Sequence, residues 1–447
     1  ATSRPAPERI SSFEAQDLAT TAWSFATLAV QNVPLMNAIS EEALRKLRNF
    51  APQNITNSAW SMARLAICDV PFMAAISNAA MARITQLVAQ DIGNTVWAFA
   101  SLLVRSQPLL ASTGQHAVSM AADFKLQELS NTAWAFAKLE CIDEPLMAAI
   151  AGHFMTGRHL AVAQDLASLA WAFATMTVPN RQLLHAIAPE AEAKIHDFHS
   201  QDLGNTVWAL ATLQFQDDPL LEAIAEQSVA KISEASAQDL GITAWSYASL
   251  KIAHMPLMAA ISAGAQQRIA ELLPQNLTNI AWACATLCIQ DAPLMDVIAD
   301  ESIRQIEECD AQNLASTAWS FATLAILHEP LLAAISQQAL SILASFEAQE
   351  LANLAWAFAT LEFLDEPLMK AIARVAVSRL AEFDPQEIGN LAWALAKLQV
   401  CDETLLDAMA EVLICNIKQF GPQNVANTVW AFATLSVLHS PMIDVIA

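Results

Sequence analysis

Eight asparagines stand three residues before a tryptophan in this sequence: Asn57, Asn94, Asn131, Asn205, Asn279, Asn353, Asn390 and Asn427. An asparagine amide both donates and accepts hydrogen bonds. A row of amides on one surface could therefore hold an extended ligand by its polar groups. The other four tryptophans have Thr20, Ser168, Ile242 or Ser316 at this position. Four residues after tryptophan, a row of threonine and serine is interrupted by Arg64, Lys138 and Lys397, which could meet phosphates. The asparagines and these three cations form the candidate binding stripe. The alternative is a hydrogen-bonded ladder between neighbouring helices that holds no ligand.

Other chemistry has less to stand on. The sequence contains no His-Glu-x-x-His, no glycine-rich phosphate loop and no Gly-x-Ser-x-Gly, so no catalytic residue is assigned. Cys284 and Cys288 lie four apart, but no partners complete a tetrahedral metal site around them. His196 and His199 fall at a helix end and read as solvated. No metal, cofactor or small-molecule substrate is expected, and the protein is read as non-enzymatic.

The elements that carry the stripe follow from one spacing. All 12 tryptophans, from Trp23 to Trp430, are 37 residues apart with no insertion between them. Self-similarity at such a period marks a solenoid. The repeats also serve as aligned copies of each other. Seven before tryptophan the residue is always glutamine, three after is always alanine, and five before is Leu, Ile or Val. At 100° per residue the apolar columns share one broad face, which marks a helix packed into a core. This leading helix is expected, for example, from about Gln53 to Ile67.

A trailing helix follows. Nine after tryptophan the residue is Asp, Asn or Ser in most copies, as in Asn32, Asp69 and Asp365, and these are preferred N-caps. Histidine takes the place at His254, His328 and His439. Proline two residues later suits a first helical turn, and apolar residues then recur as in Leu35, Met36, Ile39, Ala43, Leu47 and Phe50. Strand patterning is absent. The expected fold is all-α, an α-solenoid (superhelix) of about 12 helix-turn-helix repeats, with residues 1–447 forming a single continuous domain. Ile10 and Phe13 align with Leu47 and Phe50, and the last trailing helix is cut at Ala447. The chain therefore reads as a segment of a longer protein.

A ligand-reading residue must vary from copy to copy if it is to distinguish bases. The invariant Gln and Trp columns do not vary. They read as structure, tryptophan wedged between repeats and glutamine satisfying backbone groups at the helix start, with base stacking on tryptophan as the alternative.

Composition bounds the partners. The net charge is −23, from 45 acidic against 22 basic residues, which disfavours nucleic acid. Many acids have a local explanation. Six before tryptophan lie Asp17, Asp91, Glu128, Asp165, Asp202, Asp239, Glu350 and Glu387, in a first turn where negative charge suits the helix dipole. Stacked, they would still make an acidic ridge attractive to a basic protein. Seven cysteines without paired spacing point to a reducing compartment. The longest apolar run, Leu351 to Leu364, is short for a membrane span and is broken by polar residues, so no membrane partner is expected. No signal-peptide pattern opens the sequence.

The blocks Pro-Gln-Asn-Ile-Thr-Asn-Ser-Ala-Trp-Ser-Met-Ala at 52–63 and Ala-Gln-Asp-Ile-Gly-Asn-Thr-Val-Trp-Ala-Phe-Ala at 89–100 resemble the helical repeats of octotricopeptide and heptatricopeptide proteins, often found with a RAP domain. They are also similar to the α-solenoid subunit of the kinetoplastid RNA-editing substrate-binding complex. The resemblance covers essentially the whole chain. It implies organellar RNA metabolism, meaning RNA binding, processing or editing, in a mitochondrion or plastid. Two readings stay open: a scaffold whose stripe cradles single-stranded RNA, and an acidic protein–protein scaffold in a larger assembly with no RNA contact. Resemblance favours the first and charge the second.

Overall fold

The computed structural model describes residues 10–446. Among them are 24 α-helices and no strand, arranged as hairpins packed in series. The chain divides into two compact units, Ala1–Gln227 and Ser228–Ala447. Each unit is an α-solenoid, and the expected class holds. Ala447, where the last trailing helix was expected to be cut, lies outside the described residues.

Every leading helix has 13 residues. In the first unit they run from Ala15–Thr27 and Pro52–Arg64 to Ser200–Thr212, and in the second from Ala237–Ser249 to Pro422–Thr434. Their inward columns are fully buried at Ile55, Ala59 and Met62, or Leu351, Ala355 and Phe358, and less so in the last repeat, where Val425 is half-buried. Burying a side chain of that size contributes roughly 1.5–3 kcal/mol. The residue four before tryptophan is small, and in every repeat but the last, where Ala426 is exposed, it is buried because successive leading helices nearly touch there. A Cβ added at Gly93 would lie 3.2 Å from the Glu128 carbonyl, and one at Gly241 would lie 3.1 Å from the Asn276 Cα.

The leading helix ends earlier than its apolar pattern implies. The example expected to reach Ile67 stops at Arg64. Ala66 then turns left-handed at φ 52°, and Ile67 N–H donates to the Met62 carbonyl at 2.9 Å. This is a Schellman closure. It recurs six residues after every tryptophan, at Ala29, Leu103, Glu140, Thr177, Gln214, Lys251, Cys288, Ala325, Glu362, Gln399 and Ser436, and glycine takes the position in no repeat.

Trailing helices begin where the cap column places them. Asp69 Oδ1 accepts from Phe72 N–H at 3.0 Å, and His254, His328 and His439 accept at Nδ1 from Leu257, Leu331 and Met442 N–H at 3.1–3.2 Å. The capping aspartates also join repeats: Ser40 Oγ donates to Asp69 Oδ2, and Ser262 Oγ to Asp291 Oδ2, both at 2.6 Å. A second link comes from basic residues late in the trailing helices. Lys46 donates to the Ser11 and Phe13 carbonyls, and Lys194 to those of His159 and Ala161. Arg83 reaches the Arg48 carbonyl, Arg268 those of Ala235 and Ile232, and Arg379 that of Phe346. Each clamps the junction of the preceding repeat. Among the described residues no helix is long and apolar enough to cross a membrane.

Candidate binding groove

The outward face of the leading helices carries the glutamine, asparagine, tryptophan and threonine columns. The 12 glutamines are exposed and occupy the second helical position. The capping expected of them is done one residue later. In eleven repeats the next side chain accepts a hydrogen bond from the backbone N–H that precedes the helix, from Asp17 (3.0 Å) and Asn54 (2.9 Å) to Glu350 (2.8 Å) and Glu387 (2.7 Å). This is one half of a capping box.

Burial makes some of these caps hard to ionise. Asp165 is buried, and desolvation raises its carboxyl above the ordinary aspartate value, with Ser130 Oγ at 2.8 Å opposing the rise. Asp91 is shifted the same way for the same first cause. A carboxyl raised on folding binds more protons folded than unfolded, so its contribution to stability falls as pH climbs through the window just above about 3.9. Asparagine does this job at Asn54, Asn276 and Asn313. The substitution Asp165→Asn is therefore expected to raise stability at neutral pH and flatten that dependence. Thermal melts of both proteins between about pH 4 and 7 test this; a variant less stable than the parent at pH 7 refutes it.

The eight stripe asparagines, Asn57, Asn94, Asn131, Asn205, Asn279, Asn353, Asn390 and Asn427, are all half-buried on this face. The tryptophans are half-buried too, apart from Trp23 and Trp430, which are 44% and 43% exposed. Within the units their rings form a ladder. Ring centroids are 6.3 Å apart at Trp134–Trp171, Trp171–Trp208 and Trp245–Trp282, and 6.5 Å at Trp393–Trp430, with tilts of 29–34°. The seven indoles in these pairs lie against an indole of a neighbouring repeat while part of each stays open to solvent, in line with the structural reading. Some amides bond on this face: Gln275 Nε2 donates to Asn279 Oδ1 of its own helix at 2.9 Å, and Asn313 Nδ2 of the next repeat donates to Gln275 Oε1 at 3.3 Å.

In the first unit the columns converge on an open groove of about 550 Å³. Its walls are Thr27, Trp60, Arg64, Asn94, Trp97, Gln127, Asn131 and Gln164. Five successive repeats contribute, and each enters from a position nearer its helix start than the last. The groove is therefore oblique to the columns, crossing from the end of one leading helix to the beginning of another four repeats on. Of the predicted site residues it brings together Arg64, Asn94 and Asn131. Asn57, Lys138 and Asn205 stay on the same unit's face outside those walls. Asn279, Asn353, Asn390, Asn427 and Lys397 belong to the second unit. Arg64 and Lys138 are exposed, while Lys397 is engaged: its Nζ lies 2.7 Å from Glu362 Oε1 of the preceding repeat.

Thiol and histidine chemistry stays dispersed. The Cys284 thiol is pushed up to about 12 by burial and then by Asp291, and Cys309 to about 11 by burial and then by Asp310 and Glu308. Both are held far from thiolate at neutral pH. Cys288 is exposed at its left-handed turn. His196 Nδ1 lies 3.1 Å from Gln227 Oε1, and the His199 backbone N–H is taken by Asp202. Among the described residues no three His, Cys, Asp or Glu side chains converge as a metal site.

Stacked hairpins with an open polar and aromatic groove define a helical-repeat scaffold. The chain belongs to the RNA-editing substrate-binding complex 6 protein family, which matches it over residues 2–181, 162–292 and 227–447. Comparison with curated proteins gave no match. Among structures, a homology model of the full-length AP-3 complex in an intermediate open conformation is similar at 11% identity, with 96% of this chain and 81% of that chain covered. Its TM-score is 0.40, a level from which nothing further follows for this chain.

Proposed function

We propose that this protein is a non-enzymatic scaffold subunit of a mitochondrial RNA-editing complex, and that the groove of its first unit contacts single-stranded RNA. The family supports the setting. The groove itself carries the contact reading, because it joins the half-buried indoles of Trp60 and Trp97, the amides of Asn94, Asn131, Gln127 and Gln164, and the Arg64 guanidinium. A base stacked on such an aromatic ring contributes roughly 1–3 kcal/mol whatever its identity. The amides add polar contacts to base edges or sugars.

Cations are few, so the binding leans on stacking more than on charge. Arg64 and Lys138 together imply a salt slope of only about −1.4 in log K against log salt, taking about −0.7 per neutralised phosphate of a single strand. Titrating labelled oligouridine at about 50 mM salt should show binding. The double variant Arg64→Ala/Lys138→Ala should weaken it severalfold and remove most of that slope. Lys397→Ala should have little effect, because Glu362 already engages that ammonium. Absence of binding at low salt would leave the alternative, a protein scaffold that never touches RNA. One observation favours that alternative in the second unit, where the charge balance is steeper.

A further inference from the structure

Residues 228–447 hold nine Lys and Arg against 24 Asp and Glu. Most of the nine are already occupied. Arg268 and Arg379 clamp carbonyls, Arg304 pairs with Glu301, Lys370 with Glu366, and Lys397 with Glu362. The acids gather where three successive leading helices begin, Ala311–Thr323, Ala348–Thr360 and Pro385–Lys397. There Asp310, Glu347 and Asp384 precede the helices, and Glu350 and Glu387 lie in the first turns. Burial raises the Glu350 carboxyl, and the charges of Glu347 and Asp310 add to the rise, so carboxylates of adjacent repeats feel one another.

The same face supplies what an acidic rim lacks. Beside the carboxylates lie exposed Gln312, Gln349 and Gln386. A turn further on, Asn353 and Asn390 are half-buried, and their amides form no hydrogen bond among the described residues. Water reaches these amides, so a ligand backbone can replace that water at little cost. Next come Trp319, Trp356 and Trp393, each half-buried with part of the indole open. Amides can pair with both the N–H and the C=O of an extended backbone. Indole faces attract ammonium and guanidinium groups, and the rim takes up the charge.

We propose that this face, over Trp319, Trp356 and Trp393, docks an extended Lys- and Arg-rich segment of a partner protein. RNA phosphates would meet five carboxylates here, with the stripe's one cation in these three repeats already paired. Helices packed 8–10 Å apart and about 3.3 Å per extended residue give about three residues per repeat, hence about nine residues in the site. The inference is independent of RNA contact at the first unit.

The test is fluorescence anisotropy of a labelled peptide of about ten residues alternating lysine and alanine, titrated with the full chain at low salt. Asn353→Ala/Asn390→Ala is expected to weaken binding at least tenfold, and Glu347→Gln to weaken it severalfold. Asn57→Ala/Asn94→Ala, on the first unit, should leave it unchanged. Alanine is the better helix former, so the variants should keep their circular dichroism. Equal binding by the Asn353/Asn390 variant would mean unspecific charge attraction and would overturn the proposal. So would a failure of the parent chain to bind the peptide. If labelled oligouridine, rather than the peptide, loses affinity in that variant, the face belongs to RNA and the proposal also fails.

Discussion

Phe358→Ala is expected to lower the free energy of unfolding by roughly 3–5 kcal/mol, read from the urea midpoint at unchanged slope. Phe358 is fully buried two residues after Trp356, and its ring meets Phe363 edge-on at 5.7 Å. In a stack of hairpins each such side chain serves the core of its own repeat and of its neighbour, so the cavity weakens two interfaces. The column shows which replacements are tolerated. It holds Phe in most repeats but Met62, Leu210, Tyr247, Cys284 and Leu395 in others. Phe358→Leu should therefore cost only about 1 kcal/mol. A loss below about 1 kcal/mol for the alanine variant would mean that the site collapses freely and the core is not shared.

The second large effect runs the other way. The triple variant Ala29→Gly/Ala66→Gly/Ala325→Gly is expected to raise stability by roughly 2 kcal/mol. Each alanine is exposed with φ between 52° and 56°. A left-handed conformation costs an L-residue about 1–2 kcal/mol, and glycine gives back part of that through its freer unfolded chain. Thermal and urea unfolding measure the net. A fall in stability would show that these positions are not left-handed turns.

Those turns mark the limit of what could be read in advance. The spacing of the tryptophans, the apolar columns and the cap residues at Asp69 or Asp365 made the hairpins legible, because each signal is a residue type with one physical use. The end of the leading helix was not, because its left-handed residue is Ala, Leu, Glu, Thr, Gln, Lys, Cys or Ser in different repeats and never the glycine that signals a stop. The usable signal lay one residue on, in the apolar column of Val30, Ile67, Val104 and Ile252 that closes the turn. The clamps made by Lys46, Lys194 and Arg379 were hidden for another reason. A basic residue late in a helix reads as a solvated one unless the carbonyls of a chain segment 33–36 residues earlier are known to lie beside it. The groove was half legible. Arg64, Asn94 and Asn131 in its walls come from the columns singled out in the sequence, while Trp60 and Trp97 come from one read as structural, and a straight stripe was expected where the stagger between repeats sets an oblique course.

The unbroken 37-residue register has a genetic corollary. Exchange between any two copies of the repeat within the coding sequence adds or removes whole hairpins, and each newcomer brings the same left-handed turn and the same leading-helix length as the one it displaced. Such a lineage can lengthen or shorten its solenoid without inventing a joint, whereas a single-residue insertion would swing every later side chain out of line.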